Sequence, residues 1–182
     1  SVFLGPGECP RRALGSLVPE IDQVKVATWL LPLFDPALDL AGGARIRASV
    51  LPVYRGMERD PDFQELGSVL PLAYAELVGL SFDRGHLYTW RPTRRPAGGL
   101  DAVVFLHGSA GNFKVYLRAW KELAEARPAA IVCPTFGFGN WERPGGFGAV
   151  LRAREYAVSA LGADPTRIDL VALSNGGRGA LR

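Results

Sequence analysis

Ser174 stands in the run Val171-Ala172-Leu173-Ser174-Asn175-Gly176-Gly177, where a β-type stretch meets a turn of small residues. A serine hydroxyl is a poor nucleophile until a neighbouring base takes its proton, so its mounting and surroundings decide whether it reacts. A strand-to-helix turn sharp enough to expose it needs small residues two before and two after, usually G-x-S-x-G. Here those positions hold Ala172 and Gly176. The extra methyl fits if the alanine Cβ points away from the helix. Ser174 is therefore the candidate nucleophile, and the blander alternative is a serine that only caps a helix.

The segment His107-Gly108-Ser109 meets a second requirement of such chemistry. Attack on an acyl carbon puts negative charge on the carbonyl oxygen, and each preorganised N–H donor there is worth roughly 3 kcal/mol. The expected donors are the main-chain N–H groups of Asn175 and Ser109, with Gly108 allowing close backbone approach. Neither His86 nor His107 is expected to act as the base, which must come within about 3 Å of the nucleophile. Asp164 and Asp169 read as structural, one at a turn and the other within the strand leading to Ser174. Residues 137–146 form a glycine-rich loop in which Trp141 and Arg143 are candidate pocket residues, set against a pure packing role. Arg178 reads as a solvated helix residue.

Around these groups, strand and helix signals alternate three times. Residues 102–106 and 130–133 are continuous apolar runs of the kind covered on both faces of a sheet. Phe113, Tyr116, Leu117, Trp120, Leu123 and Ala124 recur at helical spacing, with Asn112 as N-cap and Pro128 at the exit. Phe147, Val150, Leu151, Ala157, Val158 and Leu161 suggest a second amphipathic helix. Asp164-Pro165-Thr166-Arg167 is expected to turn the chain into a strand over residues 168–173. This alternation predicts an α/β fold with a mostly parallel sheet and flanking helices. In such sheets the working groups collect at the carboxyl ends of the strands. His86 to Trp90 reads as a further short strand, and residues 94–99 as a turn-rich connection.

The domain expectation is an N-terminal extension, residues 1–80, followed by an α/β domain over 81–182. Within the extension, alternation over residues 44–53 suggests a strand, and residues 63–78 read as mixed loop and helix. The chain of 182 residues, 48% hydrophobic and 21% charged, suits one globular core. Its formal charge of +3 comes from scattered arginines with no basic run interleaved with aromatics, which argues against nucleic acid as a partner. No apolar run reaches the roughly 18 residues of a membrane span. Two cysteines, Cys9 and Cys133, make no framework, and Cys133 reads as a buried apolar residue.

Residues 102–182 resemble the first half of an α/β-hydrolase. They are most similar to bacterial esterases of the polyhydroxybutyrate depolymerase and feruloyl esterase type, and to prolyl-oligopeptidase-type catalytic domains. The likeness rests on the Ala-Leu-Ser-Asn-Gly-Gly elbow, on Leu-His-Gly after a buried strand, and on Asp-Pro-Thr-Arg-Ile before the elbow strand. It implies a serine hydrolase acting through an acyl-enzyme on Ser174, most simply a carboxylic esterase, with His107 in a supporting position beside the oxyanion loop. It implies no metal and no organic cofactor, and a small-molecule ester or peptide as substrate. The alternatives are a serine peptidase or amidase, and a hydrolase-like protein that binds without catalysis. In such enzymes the acid and histidine follow the serine, and eight residues follow Ser174 here. The triad partners are therefore expected beyond residue 182, the strand over 168–173 on an open sheet edge, and these 182 residues inactive by themselves.

Overall fold

The computed structural model describes residues 2–4, 20–60, 79, 86–94, 96–109 and 114–181. It divides into two compact units, one of Ser1–Cys9 with Val69–Arg182 and one of Pro10–Ser68.

The smaller unit is a helical hairpin, α1 (Glu20–Phe34) and α2 (Leu40–Glu58). Asp39 caps α2, its Oδ1 accepting from the N–H of Gly42 at 2.5 Å. Gly43 lies at the helix crossing, where a β-carbon would come within 3.1 Å of Pro32 Cγ and 3.3 Å of the Thr28 carbonyl. Residues 44–53, read as a strand, belong to α2 instead. Their β-branched and apolar types favour either state locally. The Asp39 cap and burial of Gly42, Gly43, Tyr54 and Met57 along α2 select the helix. Pro32 and Pro52 lie inside the two helices, which hides them from a search for unbroken helical patterns. Residues 63–78 lie outside the described residues.

The larger unit is built on a sheet of β1 (Val2–Leu4), β2 (His86–Trp90), β3 (Leu100–Leu106), β4 (Ala129–Pro134) and β5 (Ala163–Ala172). The strand order is β1-β2-β4-β3-β5. β3 pairs in parallel with both β4 and β5, while β2 runs antiparallel to β4 and to β1. Four of the five strands thus point one way, and β5 closes one end of the order. The helices are α3 (Lys114–Ala126), α4 (Gly146–Ser159) and the short α5 (Asn175–Ala180). Asn112, the expected cap of α3, lies outside the described residues.

Both faces of β3 are covered, which is why it reads as an unbroken apolar run. Ala102, Val104 and Leu106 join Ala130 and Val132 of β4 in a core with Ala149, Ala153 and Ala157 of α4. On the other face Phe105 meets Tyr116 and Trp120 of α3, at ring-centroid distances of 5.5 Å and 6.2 Å. Two expected apolar faces are corrected in detail. In α4 the buried positions are small, Gly146, Ala149, Ala153 and Ala157, while Phe147 and Leu151 are exposed. Small side chains let the helix sit close to the sheet, so volume rather than hydrophobicity chose the inward face. In α3 Leu117 and Ala124 are buried and Leu123 is exposed.

Residues 164–167 are not a turn ahead of β5 but an irregularity inside it. The register moves from Leu100↔Ala163 to Ala102↔Ile168, so β5 gains residues relative to β3 there. Asp164 organises the bulge. Its Oδ1 accepts from the N–H and hydroxyl of Thr166 at 2.9 Å and 2.6 Å, and its Oδ2 meets Arg167 at 3.3 Å. Arg167 also pairs with Asp101 of β3 at 2.9 Å. No described helix is long and apolar enough to cross a membrane.

Candidate active site

The ends of β3 and β5 meet beside Ser174. It lies between β5 and α5 with φ 52° and ψ −121°, and is the only described non-glycine residue with positive φ. Such a conformation costs an L-residue roughly 1–3 kcal/mol and persists only where its surroundings impose it. Those surroundings are visible. Leu173 N–H donates to the Leu106 carbonyl at 3.1 Å, and Gly176 N–H to the Leu173 carbonyl at 2.8 Å. Gly176 is pressed against β3, and a β-carbon on it would collide with the Leu106 carbonyl oxygen. Ser174 is exposed, and no described side chain hydrogen-bonds its Oγ.

The loop after β3 approaches just as closely. A β-carbon on Gly108 would sit 3.1 Å from Ser174 Cβ and 3.3 Å from the Leu173 carbonyl. Three successive carbonyls at this strand end each have a donor. Leu106 receives the Leu173 N–H, His107 receives the Trp141 indole N–H at 2.9 Å, and Gly108 receives His107 Nδ1–H at 2.7 Å. His107 is fully buried, and its Nε2 accepts the Phe136 N–H at 3.1 Å. A main-chain N–H can only donate and a carbonyl can only accept, so the ring is held as the neutral Nδ1–H tautomer. Both ring nitrogens are occupied, which leaves His107 no role as base for Ser174.

This network orients the Gly108–Ser109 peptide. In a planar trans peptide the C=O and the following N–H point in opposite directions. With the Gly108 carbonyl held by buried His107, the Ser109 N–H faces away from the interior. Gly139 backs the same peptide; at φ 96° its β-carbon position lies 2.6 Å from the Gly108 oxygen, so only glycine fits. Among the described residues no acceptor takes the N–H of Ser109 or of Asn175.

His86 opens β2 at the same end of the sheet, since Leu87 pairs with Pro134 at the end of β4. Three strand spacings separate β2 from β5, about 14 Å of main chain at the usual interval. That exceeds the reach of a base. Asp164 and Asp169 lie in β5, Asp164 at the bulge away from Ser174. Hydrogen bonds from the Thr166 side chain and N–H, with Arg167 beside it, hold the Asp164 carboxyl below its ordinary range. Burial pushes the Cys133 thiol far upward, so it carries no reactive thiolate.

Trp141 is buried between His107 and Phe136, with ring centroids 5.0 Å and 5.5 Å away. Together with Arg143, Phe147 and Gly179 it also lines a cleft of about 230 Å³. Arg178 is mostly exposed, as read, and pairs with Glu142 at 2.9 Å. One contact had no sequence signal at all. Asn175 Nδ2 donates to Ser109 Oγ at 2.9 Å across a separation of 66 residues.

No protein-family model matches the chain, and a search of curated proteins finds no match. Among solved structures, an acetyl xylan esterase from Aspergillus awamori superposes with a TM-score of 0.42 and 19% identity, over 50% of this chain and 38% of that one. A thermophilic esterase from the planctomycete Thermogutta terrifontis with propionate bound gives 0.41 and 23%, over 53% and 39%. Its butyrate-bound form gives 0.41 and 23%, over 53% and 38%. The chain spans less than two fifths of each of these structures.

Proposed function

We propose that Ser174 is the nucleophile of a serine hydrolase that cleaves carboxylic esters through an acyl-enzyme. The observation that carries this reading is the positive φ of Ser174 at a strand-to-helix apex, with the Gly108–Ser109 loop in contact. Strain of this kind is retained where exposing one side chain is useful. Ser174 Oγ attacks the acyl carbon, and the developing oxyanion is received by the N–H groups of Ser109 and Asn175. His107, Gly108 and Gly176 hold the geometry, and Trp141 and Arg143 wall part of a substrate pocket. The reading requires a histidine to take the Ser174 proton and a carboxylate behind it, roles for which neither His86 nor His107 is placed. The proposed chemistry calls for no metal or organic cofactor.

The test is turnover by the product of the complete gene on paired ester and anilide substrates, with S174A as control. Ester cleavage lost in S174A is expected. Anilide cleavage without ester cleavage assigns the site to a peptidase or amidase. No Ser174-dependent turnover of either makes this a binding protein. The 182-residue chain alone is expected to label with a fluorophosphonate only at background, and strong Ser174-dependent labelling would show that a base is already present.

A further inference from the structure

We infer that the Asn175 carboxamide is a positioning residue, bridging to the Ser109 hydroxyl and setting the gap between the two oxyanion N–H donors. The inference rests on the functional reading above and adds a second role for Asn175, whose main chain already supplies one donor. The two donors belong to separate elements, Ser109 to the loop after β3 and Asn175 to the first turn of α5. Donors from two elements are useful only if their separation is held, because a misplacement of about 1 Å costs a large fraction of such stabilisation. From below, the gap is held by contacts already described, Gly108 against Ser174 and Gly176 against the Leu106 carbonyl. These fix the backbone of Gly108 and of the elbow but leave Ser109 itself exposed. The bond at 2.9 Å from Asn175 Nδ2 to Ser109 Oγ is the described side-chain link between the two donor residues. It closes the arrangement from the solvent side.

The side chains can be removed without touching either N–H, so the role is separable from donation. In the ester assay above, N175A and S109A are each expected to lower kcat about fivefold, the worth of one net hydrogen bond. KM should stay within about twofold, since an oxyanion contact acts in the transition state. The double variant N175A/S109A should be no slower than the slower single one, because both remove the same bond. S109T, which keeps a hydroxyl, should recover most of what S109A loses. A second measurement needs no turnover. In the 182-residue chain, slow exchange of the Asn175 carboxamide protons should be lost in S109A while the melting temperature is kept. Additive losses, effects on KM alone, or unchanged kcat in variants of a Ser174-dependent enzyme would overturn the inference. Absence of any Ser174-dependent turnover would overturn the functional reading instead, and this inference with it.

Discussion

A β-carbon on Gly108 would lie 3.1 Å from Ser174 Cβ, although 66 residues separate the two in the chain. Contact that tight means the β3 loop and the β5 elbow support each other. The strained dihedrals of Ser174 are the visible result. The same contact leaves little room for a side chain at Gly108, and stability tests can read such close approaches without any substrate.

Ser174→Gly should stabilise the chain by about 1 kcal/mol, because glycine adopts this φ and ψ without a β-carbon penalty. Denaturant melting with an unchanged m-value would show the gain. A loss of stability would mean that Ser174 is not strained.

Gly176 and Gly177 are neighbours with opposite expectations. A β-carbon at 176 collides with main chain of β3, whereas one at 177 meets nothing within 4 Å. Gly176→Ala should destabilise by about 3 kcal/mol, since backbone cannot move aside cheaply. Gly177→Ala should be neutral or gain up to about 1 kcal/mol from helix propensity. Thermal melts of the pair decide it.

Trp141→Phe keeps most of the ring but deletes the indole N–H that satisfies the buried His107 carbonyl. Losing one such hydrogen bond costs about 0.5–1.5 kcal/mol net. Loss of stability by that amount, read in urea, is expected. A neutral result would place the stabilisation in ring packing against His107 and Phe136.

Asp164 carries a pH dependence of known sign. Its folded pKa lies below the unfolded value, so its contribution is present above the unfolded pKa and lost as pH falls through the folded one. Asp164→Ala should therefore melt lower than the parent at pH 7. The difference should shrink as pH drops below about 4, the ordinary carboxylate range. A difference independent of pH would assign the effect to the lost bonds of the neutral side chain.

The sheet was largely legible because strands buried on both faces leave continuous apolar runs, as residues 102–106 and 130–133 do. The helical hairpin was not. Its prolines break the pattern, and residues 44–53 carry types that suit a strand until Asp39 and α1 select a helix. In α4 the periodicity was present, but the choice between Ala153 and Leu151 as the inward residue depended on the space above the sheet. Asp164 to Arg167 has turn chemistry in either setting, and only pairing with β3 placed it inside a strand.

That Ser174 sits at a strand-to-helix turn and His107-Gly108 at a strand end was legible in the sequence alone, because a sharp turn and a close backbone approach restrict residue type at fixed spacing. That His107 is locked as a neutral ring was decided only by tertiary structure. So were the burial of Trp141 against it and the contact of Asn175 with Ser109. Each of these depends on which donor meets which acceptor across tens of residues, and no local preference encodes that.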